Sequence, residues 1–111
     1  FVHFDKIKNF VTDSVPAKIR GSAYRLKVGY PVIVENGQDW VPGQLVTLQG
    51  SDLLFQLLDV FHGYNAQNEG KSLYFRKAAV ALTENEEVAT QAYFLNPAKL
   101  PKNASLIEGG N

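Results

Sequence analysis

The chain has 111 residues, which suits one domain, and its apolar fraction of 45% can supply a core. Eleven basic and eleven acidic residues give a net charge of zero, so the chain lacks the broad positive field that favours nucleic acid or anionic lipid. It has no cysteine, which excludes disulfides and thiol nucleophiles and suits a reducing compartment. We therefore expect a single cytoplasmic domain over residues 1–111 that binds neither nucleic acid nor membrane.

Four elements are predicted in the first half of the chain. Apolar residues at helical spacing predict a short helix over residues 2–11. The partly alternating segment 18–26 predicts a strand in which Gly21 marks a bulge or a close backbone approach. Segments 30–34 and 40–48 predict two more strands, and the Asn-Gly pair between them predicts a tight turn.

The clearest helix is predicted over residues 51–61. Ser51 suits the N-cap, and Gly63 suits the end of the helix, where glycine relieves a left-handed backbone. One apolar face is predicted from the helical spacing of Leu53, Leu54, Leu57, Leu58 and Phe61. Truncation of Leu57 or Leu58 is therefore expected to create a core cavity.

The rest of the chain predicts a strand over residues 73–82, an acidic turn at 84–87, a strand over 88–95 and an irregular tail. One strongly amphipathic helix among short strands is typical of the α+β class. We expect a small, twisted, mostly antiparallel β-barrel with one main packed helix.

Four segments carry motifs in a characteristic order. Residues 21–26 (GSAYRL) look like G-x-L-Y-x-L, with Ala23 for the first leucine, and Tyr30-Pro31 follows as Y-P. Residues 41–45 (VPGQL) look like V-x-G-E-L, with Gln44 for glutamate. Residues 58–64 (LDVFHGY) match L-D-x-x-E-G-Y, and the strand from Tyr74 begins Y-x-R. In order and spacing these segments resemble the γ-glutamylcyclotransferase-like (AIG2-like) family over residues 21–94.

The resemblance implies a fold and a chemistry. In that family the α-amine of a γ-glutamyl group attacks its own γ-carbonyl, which releases 5-oxoproline and an amine, and a glutamate moves the proton. His62 stands where the family has that glutamate. The resemblance places Tyr30, Pro31, Gly63 and Tyr74 as substrate-binding residues. The family's Y-G-S loop, which holds the substrate's α-carboxylate, is not in this sequence, so we expect its strand to be missing from the N-terminal side.

His62 leaves two functions open. An imidazole with a pKa of about 6.5 can shuttle a proton, but it offers no negative charge to bind an ammonium. At a helix end it can instead interact with the last carbonyl groups. Glu69, in the following loop, is an alternative carboxylate. We expect a non-catalytic domain that binds a small γ-glutamyl or amino-acid-like ligand or acts in protein interaction; the alternative is an active cyclotransferase that releases 5-oxoproline.

No metal site is predicted. The two histidines, His3 and His62, lack carboxylates at the spacing of zinc ligands, and the cyclisation needs no cofactor. We therefore expect no cofactor.

Overall fold

The computed structural model describes residues 8–27, 31–50 and 52–107. Five strands and one α-helix make up the regular structure of these residues: β1 Val11–Arg25, β2 Pro31–Leu48, α1 Asp52–Phe61, β3 Tyr74–Leu82, β4 Glu87–Leu95 and β5 Ser105–Ile107. Short 3₁₀ turns lie at Lys8–Phe10, Glu69–Lys71 and Pro97–Lys99. The predicted α+β class, mostly antiparallel with one main helix, is confirmed. Among the described residues, no helix is long and apolar enough to span a membrane.

The sheet has the order β2-β1-β3-β4, and all its pairs are antiparallel. β1 pairs with β2 along its whole length, while its other edge meets β3 at Lys18 and β5 at residues 23–25. β3 and β4 form a hairpin that starts at Tyr74 opposite Leu95. This path does not close on itself within the described residues, so the predicted barrel is only a loose description of an open, curled sheet.

β1 begins earlier than predicted. Residues 2–7 of the predicted N-terminal helix lie outside the described residues, while Lys8–Phe10 form a 3₁₀ turn and Val11 starts the strand. Polar and proline residues at 13–16 are poor strand formers, yet this segment pairs with residues 44–47 of β2. The long partner strand therefore outweighs the weak local strand preference of this segment.

The predicted tight turn at Asn36-Gly37 is wrong, because β2 continues through it. Gly21 lies opposite Asp39, whereas Ser22 lies opposite Val34, so residues 35–38 form an insertion within β2. The backbone of Gly37 lies so close to Gly21 and Ser22 that a Cβ atom would overlap them. The predicted bulge or close approach at Gly21 is confirmed by this register shift.

α1 packs its apolar face on the sheet. Leu54 and Leu58 are buried, and Leu48, Phe55, Phe61 and Tyr93 pack against them. A second buried cluster joins Val32, Val34 and Leu95. The predicted role of Leu57 in the core is wrong, since 42% of this residue is exposed and the buried stripe is narrower than the sequence pattern. Ser51 and the side chain of Leu53 lie outside the described part of the chain.

The segments after α1 hold the helix end and the hairpin together. Gly63 has a φ of 60°, as predicted for the residue that ends the helix, and its carbonyl accepts a hydrogen bond from the Leu73 N–H at 2.9 Å. The predicted acidic turn between β3 and β4 is present. The tail is not fully irregular, because β5 pairs with β1; a three-residue strand carries too little alternation to be recognised in a sequence.

Candidate functional site

His62 follows the last residue of α1 and is half-buried. Its Nδ1 atom lies 2.8 Å from the carbonyl oxygen of Leu58, one turn back in the helix. A carbonyl oxygen only accepts hydrogen bonds, so Nδ1 must carry the proton. In the neutral ring the basic nitrogen is therefore Nε2.

Two aromatic rings fix the plane of the imidazole. Tyr93 of β4 stacks on it, with 3.7 Å between ring centroids and 5° between planes. Tyr74 of β3 meets it edge-on, with centroids 5.5 Å apart and an angle of 86°. The imidazole is thus oriented by the helix backbone and by both strands of the hairpin.

Tyr93 is in turn anchored by an ion pair. Its hydroxyl donates to Asp59 Oδ1 at 2.6 Å, and Arg76 donates to the same carboxylate from Nε at 2.9 Å and from Nη2 at 3.3 Å. Burial, followed by the hydrogen bond to Asp59 and its negative charge, raises the pKa of Tyr93 well above its usual value of 10.0. The phenol therefore stays protonated and keeps donating. The guanidinium of Arg76 also covers the ring of Phe55 at 4.9 Å.

A cavity of about 590 Å³ is bounded by α1, His62 and strands β1 to β4. Its wall is mostly apolar, and His62 and Tyr93 form part of it. Among the described residues that line it, Lys18 is the only lysine or arginine, and there is no aspartate or glutamate. Within the described part of the chain, the wall therefore includes one basic residue and no carboxylate, and the ammonium of that residue lies over the ring of Trp40, which is not in the wall.

The residues proposed from the sequence fall at different distances from this cavity. His62 lines it, whereas Tyr74 is not among the described lining residues and contacts the edge of the His62 ring. Gly63 is exposed beyond the helix, and Pro31 is the exposed first residue of β2. Tyr30 lies outside the described residues. The substrate-binding roles of these four residues stay predictions.

Gln44 and Glu69 are the two other positions considered in the search for a carboxylate near the cavity. Gln44, which replaces a glutamate of the motif, lines the cavity, and its Oε1 accepts a hydrogen bond from Ser14 Oγ at 3.1 Å. Glu69 is exposed in the 3₁₀ turn and is not part of the cavity wall. No group of three potential metal ligands occurs among the residues that the structure describes.

The ion pair of Asp59 and Arg76, with Tyr93, was not singled out from the sequence. The sequence did contain a pattern that is compatible with this ion pair. The motif at the helix end contains an acid and the Y-x-R motif contains a base, and these two segments were expected to pack together. Their partnership depends on how α1 lies across the hairpin, which no local pattern specifies.

Comparison with known proteins gives one family match. A family model described as gamma-glutamyl cyclotransferase, AIG2-like, matches residues 3–111. The match includes the helix end at His62 and every described strand. Neither the curated proteins nor the solved structures gave a significant match.

Proposed function

The chain belongs to the gamma-glutamyl cyclotransferase, AIG2-like, family, and on that premise we propose that it binds a small γ-glutamyl or amino-acid-like ligand in the cavity beside His62 without cyclising it. The observation that carries this proposal is the composition of the cavity wall, which has a histidine and a lysine but no carboxylate among the described residues. Its volume of about 590 Å³ lies within the range of small-molecule sites.

The charges of the wall support binding at one end of such a ligand. Lys18 is exposed and bounds the cavity, but side chains alternate along a strand, so its ammonium lies on the opposite face of β1 from Ala17 and Ile19. Its Nζ lies 5.7 Å from the ring centroid of Trp40, which restrains the side chain on the surface of β1 and β2. In the proposed complex, a ligand carboxylate therefore meets this ammonium only at the edge of the cavity and not within its apolar wall.

Among its described residues, the same wall has no carboxylate that could act as the negative partner and base of the cyclisation. A γ-glutamyl substrate begins as an α-ammonium, which requires a negative partner and a base. Neutral His62 supplies no negative charge, and its protonated form would repel the ammonium. Asp59 does not line the cavity, and Arg76 and the Tyr93 hydroxyl already satisfy its oxygens. These features favour binding over turnover.

One observation favours the alternative, an active cyclotransferase. Because Nδ1 of His62 donates to Leu58, Nε2 is the basic nitrogen of the neutral ring. In this mechanism Nε2 takes a proton from the α-ammonium, and the amine nitrogen attacks the γ-carbonyl carbon. The bond from that carbon to the leaving nitrogen then breaks as the imidazolium gives its proton to that nitrogen. The new ring nitrogen still carries one proton too many, and it loses this proton through Nε2 to solvent. The products are 5-oxoproline and the free amine.

The test combines binding and turnover. Calorimetric titration with a panel of γ-glutamyl amides and free amino acids measures affinity, and mass spectrometry of the same samples detects 5-oxoproline. Saturable binding of a γ-glutamyl compound without 5-oxoproline supports the proposal. Release of 5-oxoproline that is lost in His62→Gln establishes the alternative instead. Absence of binding by every compound of the panel would overturn the proposed function.

A further inference from the structure

Three side chains form a row across neighbouring strands of the sheet. Lys18 of β1 lies opposite Leu82 of β3, and Leu82 lies opposite Glu87 of β4. Residues that pair across antiparallel strands point to the same face of the sheet, so this face presents a cation, an apolar side chain and a carboxylate in that order. Lys18 and Glu87 are exposed, and Leu82 is partly exposed. We call these three residues the exposed row.

Apolar side chains lie beside the exposed row on the same face. Val80, two residues before Leu82, is 54% exposed, and it pairs with Ala89, which is exposed as well. Ile19 and Ala81, the chain neighbours of Lys18 and Leu82, line the cavity, so this face is turned away from the ligand site. The face therefore has apolar surface in contact with water and is separate from the cavity.

The two charges of the row have no ion-pair partner among the described residues. The Nζ of Lys18 lies 5.7 Å from the ring centroid of Trp40, and the Cζ of Arg20 lies 4.2 Å from the same centroid. This contact holds the lysine stem against the sheet, so less conformational entropy is lost when its ammonium meets a carboxylate. β1 is thus positive on this face, whereas β4 begins with Glu87 after an acidic turn.

We infer that this face binds a second copy of the chain in a two-fold symmetric dimer. A two-fold axis parallel to β3 places β1 of each copy over β4 of the other, and β3 over β3. Lys18 then faces the partner's Glu87, and Leu82 faces the partner's Leu82. A two-fold axis across the strands would instead place β1 over β1 and oppose like charges, so the charges select the first arrangement.

The second copy fits this face better than other partners do. An isologous interface needs one surface that is complementary to itself, and the order of cation, apolar group and anion has that property. A nucleic acid would find the ring of Trp40 already covered by the guanidinium of Arg20, and Glu87 would repel its phosphates. An acidic protein would meet the same carboxylate in the row.

Sedimentation equilibrium of the unmodified chain is the first test. We expect a reversible monomer–dimer equilibrium that weakens between about 50 mM and about 500 mM NaCl, because salt screens exposed charges over that range. A chain that stays monomeric up to about 1 mM protein overturns the inference. Assembly beyond the dimer, or a dimer that salt does not weaken, overturns it as well. If the chain is monomeric and poly-glutamate binds wild type more tightly than Lys18→Glu, the face belongs to an acidic partner instead.

Charge reversal identifies the contact. Lys18→Glu and Glu87→Lys each oppose like charges at two symmetric places, so each should weaken the dimer at least about tenfold. The equimolar mixture of the two variants should dimerise again, because every contact in the mixed dimer joins opposite charges. The double variant Lys18→Glu/Glu87→Lys should dimerise for the same reason.

Lys102→Glu is the matched control, since it makes the same change of charge at an exposed residue of the tail. Circular dichroism spectra and melting temperatures check that every variant folds. An equal loss of dimer in Lys102→Glu would contradict the assigned contact. So would a mixture of folded single variants that stays monomeric.

Discussion

The imidazole of His62 and the phenol of Tyr93 lie face to face, with 3.7 Å between their centroids. Tyr93 also donates to Asp59 at 2.6 Å, so the ring that orients His62 is itself tied to the Arg76 ion pair. The cavity wall and the packing of α1 on the hairpin therefore share one set of side chains.

Tyr93→Phe tests the anchor of that ring. The variant keeps an aromatic face for His62 but loses the hydrogen bond to the Asp59 carboxylate. We expect it to lower the free energy of unfolding by about 1.5 kcal/mol, the lower end for a bond to a charged group, because Tyr93 is only half-buried. Urea denaturation at pH 7 measures this loss, and equal stability of both proteins would show that the bond contributes nothing.

The raised pKa of Tyr93 gives a dependence on pH. The folded state holds the proton more tightly than the unfolded chain, so this contribution is complete below the unfolded pKa of about 10 and is lost as the pH rises above it. Wild type should therefore lose more stability than Tyr93→Phe between pH 9 and pH 11. Urea denaturation across that window compares them, and parallel curves would contradict the expected shift.

Lys18→Gln tests the cationic partner at the edge of the cavity. It should weaken γ-glutamyl ligands by at most about fivefold, because one exposed charge pair contributes up to about 1 kcal/mol. The control is Lys77→Gln, since Lys77 also lies over an aromatic ring, at 5.5 Å from Phe75, but does not line the cavity. Calorimetric titration of both variants is the measurement, and equal losses in the two would refute a specific role for Lys18.

Substitutions at Leu58 and Leu57 compare the buried and the exposed face of α1. Leu58 is 4% exposed and Leu57 is 42% exposed. Leu58→Ala should cost about 2–5 kcal/mol of unfolding free energy through lost burial and the remaining cavity. Leu57→Ala should stay within about 0.5–1 kcal/mol because much of its surface is already in water. Urea denaturation measures both losses, and a midpoint for Leu57→Ala as low as that for Leu58→Ala would contradict the assignment of the two faces.

Gly37 tests the insertion in β2. A Cβ atom there would overlap the backbone of Gly21 and Ser22, whereas a Cβ at Gly43 of the same strand meets nothing within 4 Å. Gly37→Ala should therefore destabilise the protein by at least about 1–3 kcal/mol, and Gly43→Ala should not. Thermal melts of both variants measure the difference, and similar melting temperatures would argue against the close backbone approach.

Ser72 tests the link between the loop after α1 and the start of β3. It is 2% exposed, and its Oγ accepts from the Asn65 N–H at 2.8 Å. Ser72→Ala would leave that N–H without its partner at a cost of about 1–3 kcal/mol. The exposed Ser105 provides the control substitution to alanine. Equal urea midpoints for the two variants would show that the buried hydroxyl is dispensable.

Local patterns sufficed for part of this fold. α1 and the β3–β4 hairpin were predictable because their apolar periodicity and turn residues act within a few positions. The first half of β1 was not, since its polar and proline residues become a strand only when β2 lies beside them. The insertion at residues 35–38 was not predicted for a similar reason. Its Asn-Gly pair favours a turn locally, whereas the residues on both sides of it pair with β1.

The candidate site was predictable only at His62, through the motif that carries it. Lys18 gave no signal, because an isolated lysine in an exposed strand position is ordinary. Asp59 and Arg76 appeared in the motifs, but their contact depends on the crossing of helix and hairpin. The sequence shows which side chains are present. It does not show which of them face each other, because that depends on contacts between segments far apart in the chain.

The stack of His62 on Tyr93 also bears on how this family member could change over time. A glutamate at position 62 would bring a carboxylate to the face of an aromatic ring, which carries the negative part of its quadrupole. It would also bring that charge to the carbonyl of Leu58, which now accepts a hydrogen bond from the imidazole. Substitution of His62 by glutamate would therefore be unfavourable unless Tyr93 also changed. The residue that suits position 62 depends on the ring at position 93, so we expect the two residues to vary together among relatives.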